Sequence, residues 1–269
     1  MSINAFLRFL VKHYPFVKGR SRITRFAKRY VKGITLYTDS YGNRFLLDLD
    51  NFIDNEIYLR GIFEEKSIHA LTELIMEKRC KYFVDIGANM GIYTVLFAKR
   101  FSFERIYAFE PDPRNFSQLH ANIFLNNLYD KVAIYNLALS SEDSEKTFYL
   151  SRNKKDIDNE KLNTGTSSLL FNKDRHISHA VITVQTIKLD DLLQIKNQSI
   201  VIKIDVEGHE YNVLKGMQNL LSNNNCVLSL ELFQNNFSSV NGYLNDNGYM
   251  MLMPEFEKSS EYNYIYLKS

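Results

Sequence analysis

The stretch KYFVDIGANMGIYTVLFAKR, residues 81–100, holds the residues best suited to chemistry. Tyr82, Phe83, Val84 and Ile86 form an apolar run of the kind buried in a parallel strand, and Tyr93, Val95, Leu96, Phe97 and Ala98 recur at helical spacing. Between them Gly87, Ala88, Asn89, Met90 and Gly91 make a turn that lets a ligand approach the backbone closely. The helix behind that turn offers unpaired amides and a partial positive charge. The pattern D-x-G-x-N-x-G is neither the dinucleotide fingerprint nor a P-loop, and it has no phosphate-gripping lysine. The carboxylate of Asp85 would repel a phosphate but suits an ammonium group. An amino-acid-bearing nucleoside such as S-adenosylmethionine therefore fits better than a pyrophosphate. A purely structural strand–turn–helix corner would read the same way, so the next strand is the test.

That strand is Arg105, Ile106, Tyr107, Ala108 and Phe109, and it ends at Glu110, 19 residues after Gly91. An acid at the tip of the second strand is placed to accept ribose hydroxyls. Pro111-Asp112-Pro113 stops the strand, with Asp112 as N-cap and Pro113 as first helical residue. Further along, SIVIKIDVEG (199–208) reads as another buried strand with an acidic exit, and CVLSLEL (226–232) as the next, ending near Glu231.

FVDIGANMGIYT, YAFEPDPRNFSQLHANI, KIDVEGHEYNVLKGM and LSLEL together resemble the FkbM family of S-adenosylmethionine-dependent methyltransferases, over about 56–232. The resemblance implies a Rossmann-like class I methyltransferase, commonly an O-methyltransferase acting on sugars or glycan-related products. By position, Asp85, Gly87, Asn89 and Gly91 match the cofactor loop, with Ala88 and Tyr93 in the same matched stretch, and Glu110 matches the ribose-binding acid. NLALS (136–140) resembles the adenine-side loop, to which Ala138 and Leu139 would contribute backbone. GIFEE resembles a segment before the first strand and adds Glu64.

Transfer of a methyl group to an alcohol needs an in-line nucleophile and a base for its proton. Asp205, Glu207 and His209 crowd the exit of 199–208 and are the catalytic candidates. His209 is a natural base by its reference pKa, Asp205 by its strand-end position, and Glu207 as an orienting group. Glu207 and His209 would equally serve as caps of the next helix. Asp205, Glu231 and His209 carry metal donors, but their spacing forces no metal, and none is expected.

Positioning these residues takes alternating strands and helices, that is, an α/β doubly wound, mostly parallel sheet. Val132–Leu139 reads as one further strand, Ala180–Ile187 as another, and DDLLQI as a short helix capped by Asp190. Tyr249–Met253 and Tyr262–Leu267 read as a C-terminal antiparallel hairpin. The expected organisation is a basic amphipathic arm at 1–33, a hairpin with two helices at 34–79 forming a lid or edge, and the cofactor domain at 80–269. Within the last, 141–163 is a polar insertion with one short strand.

At 269 residues, 45% hydrophobic and 24% charged, the chain can bury a full core. Cys80 and Cys226 adjoin apolar runs and read as free thiols in a reducing compartment. No run is long enough to span a membrane, and no signal peptide is expected at the start. A cytoplasmic protein follows. Residues 1–38 hold nine basic residues and no acid, whereas the rest carries +2 − 9 = −7. Such an arm suits an anionic partner: lipid at the inner face of the membrane, a glycan carrier or nucleic acid. A nicotinamide-dependent oxidoreductase and a nucleic-acid-modifying protein are the alternatives. The first should show tighter glycine spacing; the second lacks a zinc, RRM or N/D-P-P-Y/F signature.

Overall fold

The structure is a computed structural model that describes residues 3–13, 17–61, 63–151, 163–172, 176–252 and 261–268. Helices α1 (Ile3–His13) and α2 (Val17–Tyr30) lead into strands β1 (Ile34–Thr38) and β2 (Arg44–Asp48), then α3 (Phe52–Arg60) and α4 (Glu65–Glu77). The alternating part follows as β3 (Tyr82–Ile86), α5 (Ile92–Arg100), β4 (Arg105–Phe109), α6 (Pro113–Leu125) and β5 (Val132–Tyr135). Short β6 (Ala138–Leu139), then β7 (Ser144–Ser151) and β8 (His176–Ile187), depart from that rhythm before α7 (Leu189–Leu192). The remainder is β9 (Ser199–Ile204), α8 (Glu210–Lys215), α9 (Gln218–Asn223), β10 (Asn225–Phe233), α10 (Gln234–Asp246), β11 (Tyr249–Leu252) and β12 (Glu261–Lys268).

Seven strands form the central sheet in the order β11-β12-β10-β9-β3-β4-β5, and β12 runs antiparallel to both its neighbours. The expected C-terminal hairpin is thus present, with β12 inserted between β11 and β10. The pairs β3–β4, β3–β9, β4–β5 and β9–β10 are parallel. Each central strand is buried on both faces, which explains its apolar run, interrupted inside β3 by Asp85 and inside β9 by Lys203. Phe83, Ile106 and Val201 face a core built with α3–α6, while Val84, Ile200, Ile202 and Leu228 face one built with α8–α10. Strand order reverses at β3, so the cleft beyond the ends of β3 and β9 is the natural ligand site.

Val132–Leu139, expected as one strand, is two. Asn136 donates from Nδ2 to the carbonyls of Glu110 and Pro111 (2.8 and 3.1 Å), which ends β5 and turns the chain into a second sheet. That sheet has the order β6-β8-β7. The start of the segment read as an insertion is therefore β7, paired along its length with β8. Residues 152–162 of it lie outside the described residues. Asp190 does not cap its own helix: its carboxylate accepts the amides of Asn219 and Leu220 at 2.8 Å and so caps α9. β1 and β2 form a separate two-stranded sheet held on α6, where Asn122 accepts the Leu46 amide at 2.7 Å. Cys80 and Cys226 are buried free thiols. Among the described residues no helix is long and apolar enough to cross a membrane.

Candidate active site

The cleft at the ends of β3, β4, β9 and β10 encloses about 1030 Å³ of empty space, open solvent included. Its first wall is the glycine turn. Gly87 and Gly91 have φ of +79° and +87°, and the amides of Gly87 and Ala88 donate to the Phe109 carbonyl at 3.0 and 2.9 Å. That pair of hydrogen bonds ties the turn to the end of β4 and sets Glu110 beside it. Glu110 accepts the Asn89 amide at one carboxyl oxygen and the Asp112 amide at the other, both at 2.8 Å. Burial outweighs these donors and pushes its pKa up to about 8. Among the described residues the side-chain oxygen of Asn89 is buried without a hydrogen-bond partner, and Asn89 is one of the residues that line the cleft. A buried unpaired amide oxygen costs about 1–3 kcal/mol, which is tolerable where a ligand satisfies it.

The opposite wall is acidic. Glu64, Asp205 and Glu231 line the cleft. Tyr93 donates its hydroxyl to Glu64 at 2.6 Å, and Lys203 donates to Asp205 at 2.7 Å. The Lys203 ammonium also lies 4.9 Å from the centre of the Tyr93 ring. Burial by itself would lower the pKa of Lys203, but Asp205, Glu64 and Asp85 raise it above its ordinary value. Burial raises that of Glu64, and the Asp205 charge followed by burial raises that of Glu231. Asp85 sits beside Lys203 in the β3–β9 register and accepts from the Thr94 hydroxyl at 2.5 Å.

The exit of β9 makes the third wall. Glu207 has φ +55° and precedes Gly208 at +102°. His209 is 6% exposed, and its Nε2 lies 3.0 Å from the Ser140 hydroxyl. Burial, then the Lys146 charge, lowers its pKa to about 4, so its imidazole is neutral near pH 7. Across the mouth runs the turn Asn163–Ser167. Asn51 donates to the Thr164 hydroxyl at 2.5 Å, and Ser168 donates to the Glu207 carbonyl at 2.9 Å. Three non-glycine residues of the cleft, Glu64, Asn89 and Glu207, hold left-handed backbone with φ between +51° and +55°. Such conformations are strained and concentrate at functional sites.

Of the residues selected from the sequence, Glu64, Gly87, Asn89, Glu110, Ala138, Leu139, Asp205, Glu207 and His209 all line this cleft. Asp85 does not. It is 1% exposed under the turn, satisfied by Thr94, so it is not positioned to meet a ligand's ammonium directly. Tyr93 is likewise buried behind Glu64, while Ala88 and Gly91 shape the turn from outside the lining. Gly91 is held to glycine by its left-handed backbone at φ +87°, a conformation that side chains rarely adopt. Three features escaped the sequence reading. Glu231 stood out as a strand end and a possible metal donor, not as part of an acidic wall. Lys203 carried a signal, a lone lysine inside SIVIKIDVEG, whose match to Asp85 needed the register. Of the turn 163–167 the sequence shows only a small polar loop at 165–168, because its partners Asn51, Asn115 and Asp112 lie 49 or more positions away. Among the described residues no group of three or more His, Cys, Asp or Glu is arranged to hold a metal ion.

Buried carboxyls make stability fall as pH rises. Asp54, Glu110 and Glu210 ordinarily titrate at 3.8, 4.5 and 4.5, and burial pushes them to about 7, 8 and 7. Their raised folded values mean stability fully present below about pH 4 and lost as pH climbs through 7–8. His209, lowered to about 4, acts oppositely, losing stability only as pH falls from about 6.5 to 4. Thermal melting of the ligand-free protein is expected several degrees higher near pH 5.5 than near pH 8.5. A flat or rising profile would contradict the burial of these groups.

Comparison with known proteins identifies the class. The family model described as the methyltransferase FkbM domain matches residues 85–251, and the chain belongs to that family. The hexuronic acid methyltransferase AglP of Haloferax volcanii is 30% identical over 147 residues, 54% of this chain and 53% of its own. Methyltransferase 1 of Beauveria bassiana is 30% identical over 148 residues, 51% of this chain and 58% of its own. The chain thus spans about half the length of the curated relatives it matches. The FkbM methyltransferase structure from Methylobacillus flagellatus superposes with a TM-score of 0.51 at 15% identity, covering 80% of this chain and 52% of that one, which is agreement of fold. Membership in this family sets aside the oxidoreductase alternative raised by the sequence.

Proposed function

We propose that this chain binds S-adenosylmethionine in the cleft and methylates a hydroxyl group, on a sugar or glycan-related acceptor. The observation that carries the reading is that Glu110 and the glycine turn share one cleft with the acidic exit of β9. The residues suit the cofactor. Glu110 would take the ribose hydroxyls, the unpaired oxygen of Asn89 would take a donor, and Ala138, Leu139 and Phe109 give an apolar seat for a base. Glu64 and Glu231 would face its cationic end, with Asp85 and Lys203 fixing the charge beneath them. When bound, S-adenosylmethionine supplies a methyl group on a sulfonium centre.

The chain's own part in the reaction is positioning and proton removal. Asp205 is the proposed base: Lys203 fixes one of its carboxyl oxygens and leaves the other for the acceptor's proton. His209, held by Ser140 and of low proton affinity, orients the loop instead of taking that proton. The sugar assignment draws on AglP, a relative named for a hexuronic acid acceptor. A cytoplasmic location, where cofactor and reducing power are available, suits the two buried thiols.

Isothermal titration with S-adenosylmethionine tests the cofactor. Glu110→Ala should weaken binding by about 1.5–3 kcal/mol, roughly 10- to 150-fold, through loss of the ribose bonds. Equal affinity in wild type and variant would remove the assignment. A product methylated on nitrogen or carbon would refute the hydroxyl acceptor while leaving the cofactor site intact.

A further inference from the structure

The first two helices carry a surface that the cleft does not use. Leu7, Val11, Ala27 and Val31 bury one face of the α1–α2 pair on the body, next to Ile57 of α3. Asn4 donates to the Lys32 carbonyl at 3.0 Å, so the start of α1 meets the end of α2 and the helices run antiparallel. Half of the apolar stripe read in the sequence is thereby spent on packing. The other half is left outside: Ile3, Phe6 and Phe9 on α1 are 66%, 46% and 54% exposed, and Phe26 and Tyr30 on α2 are 56% and 52% exposed. The spacing 3, 6, 9 and 26, 30 puts each set on one helix face. Ile34 and Leu36 of β1 are exposed as well, at 73% and 66%.

Charge decides what could cover it. Arg22, Arg25 and Arg29 are exposed beside Phe26 and Tyr30 on α2, and Lys12 and Lys32 are exposed at the ends of the pair. Two other cations of the arm serve the fold: Lys28 pairs with Glu56, and the Arg8 guanidinium stacks 4.6 Å from the Tyr37 ring centre. No acid stands among residues 1–38, while the rest of the chain carries −7. A second copy would bring the same positive charge to the contact and be repelled. A nucleic acid would neutralise the arginines but leave Ile3, Phe6 and Phe9 in water. An anionic bilayer answers both, with headgroup phosphates for the arginines and acyl chains for the apolar side chains.

We infer that the outward face of α1 and α2 is a docking surface for an anionic phospholipid bilayer, holding the protein flat on it without spanning it. The chain contains no tryptophan, so Phe9→Trp gives a single-site reporter. In low salt, that variant's emission should shift to the blue with phosphatidylcholine–phosphatidylglycerol vesicles and not with phosphatidylcholine alone. Full-length protein should float with the anionic vesicles. Phe6→Ser/Phe9→Ser and Arg22→Ser/Arg29→Ser should each reduce flotation strongly, about fivefold per arginine, with thermal melting unchanged because these side chains are exposed. The inference is overturned if wild type ignores anionic vesicles at low salt, or if neither double variant loses binding. It is equally overturned if the apolar variant abolishes a dimer seen by light scattering instead of flotation, or if only oligonucleotide binding depends on the arginines.

Discussion

Asp205→Asn is expected to lower kcat by about 10²- to 10⁴-fold, the range a general base contributes. An unassisted sugar hydroxyl is a poor nucleophile near neutral pH. Asp205 stands where β9 ends, in the acidic wall that also holds Glu64 and Glu231. The amide keeps the shape and can still accept from Lys203, which now donates to the Asp205 carboxylate at 2.7 Å. It cannot take a proton. Removing the carboxylate also strips a buried lysine of one counter-charge, so melting temperature and cofactor titration must accompany the rate. A loss of rate with cofactor affinity within about threefold of wild type is the expected pattern. His209→Gln provides the contrast. Its hydrogen bond to Ser140 can be kept, and its low proton affinity predicts a small effect on the chemical step. If Asp205→Asn methylates at the wild-type rate, or if His209→Gln carries the large loss, the base is misassigned.

Gly87→Val should destabilise the whole domain by about 3–5 kcal/mol, enough to unfold many proteins of ordinary stability. Read only as part of a turn that lets a ligand approach the backbone, Gly87 would be expected to matter for binding and not for folding. The structure changes that expectation. A Cβ on Gly87 would lie 1.9 Å from the carbonyl oxygen of Asp205 and 2.9 Å from its carbonyl carbon, at a φ of +79°. Those atoms belong to the backbone leaving β9 and cannot swing aside, unlike the end of a flexible side chain. Gly42→Ala isolates the conformational part, since Gly42 has φ +80° but nothing within 4 Å of its missing Cβ. That control should cost about 1 kcal/mol. Urea unfolding of both variants measures the difference. A Gly87 variant as stable as the Gly42 variant would mean that the β3 turn and the β9 exit are not packed this closely.

The close approach at Gly87 shows where a one-dimensional reading stops. Local patterns identified the turn, because glycine spacing, an apolar run before it and a helical stripe after it are all written within twenty residues. They likewise located Glu110, whose distance from Gly91 is fixed by one helix and one strand, and the N-cap at Asp112, which accepts the Arg114 amide as expected. The acidic exit at Asp205, Glu207 and His209 was legible for the same reason, since a charged cluster directly after a buried strand must lie at the sheet's end.

What the tertiary structure decided are matters of register and of distant contact. Asp85 looks like a ligand-facing acid by position, yet the β3–β9 pairing sets it against Lys203 and Thr94 hides it. The helical stripes of α1 and α2 look uniform, yet packing on α3 divides each into a buried face and an exposed one. Val132–Leu139 has the composition of one strand, but Asn136 finds carbonyl partners on another segment and breaks it. The turn over the cleft is held by side chains as distant as Asn51 and Thr164, a pairing with no trace in either neighbourhood. Strand propensity and helix spacing are short-range properties, so the sequence determined the elements, their order and the acids at their ends. Which face a side chain turns inward and which charge it meets depend on neighbours far along the chain, and only the folded arrangement supplies them.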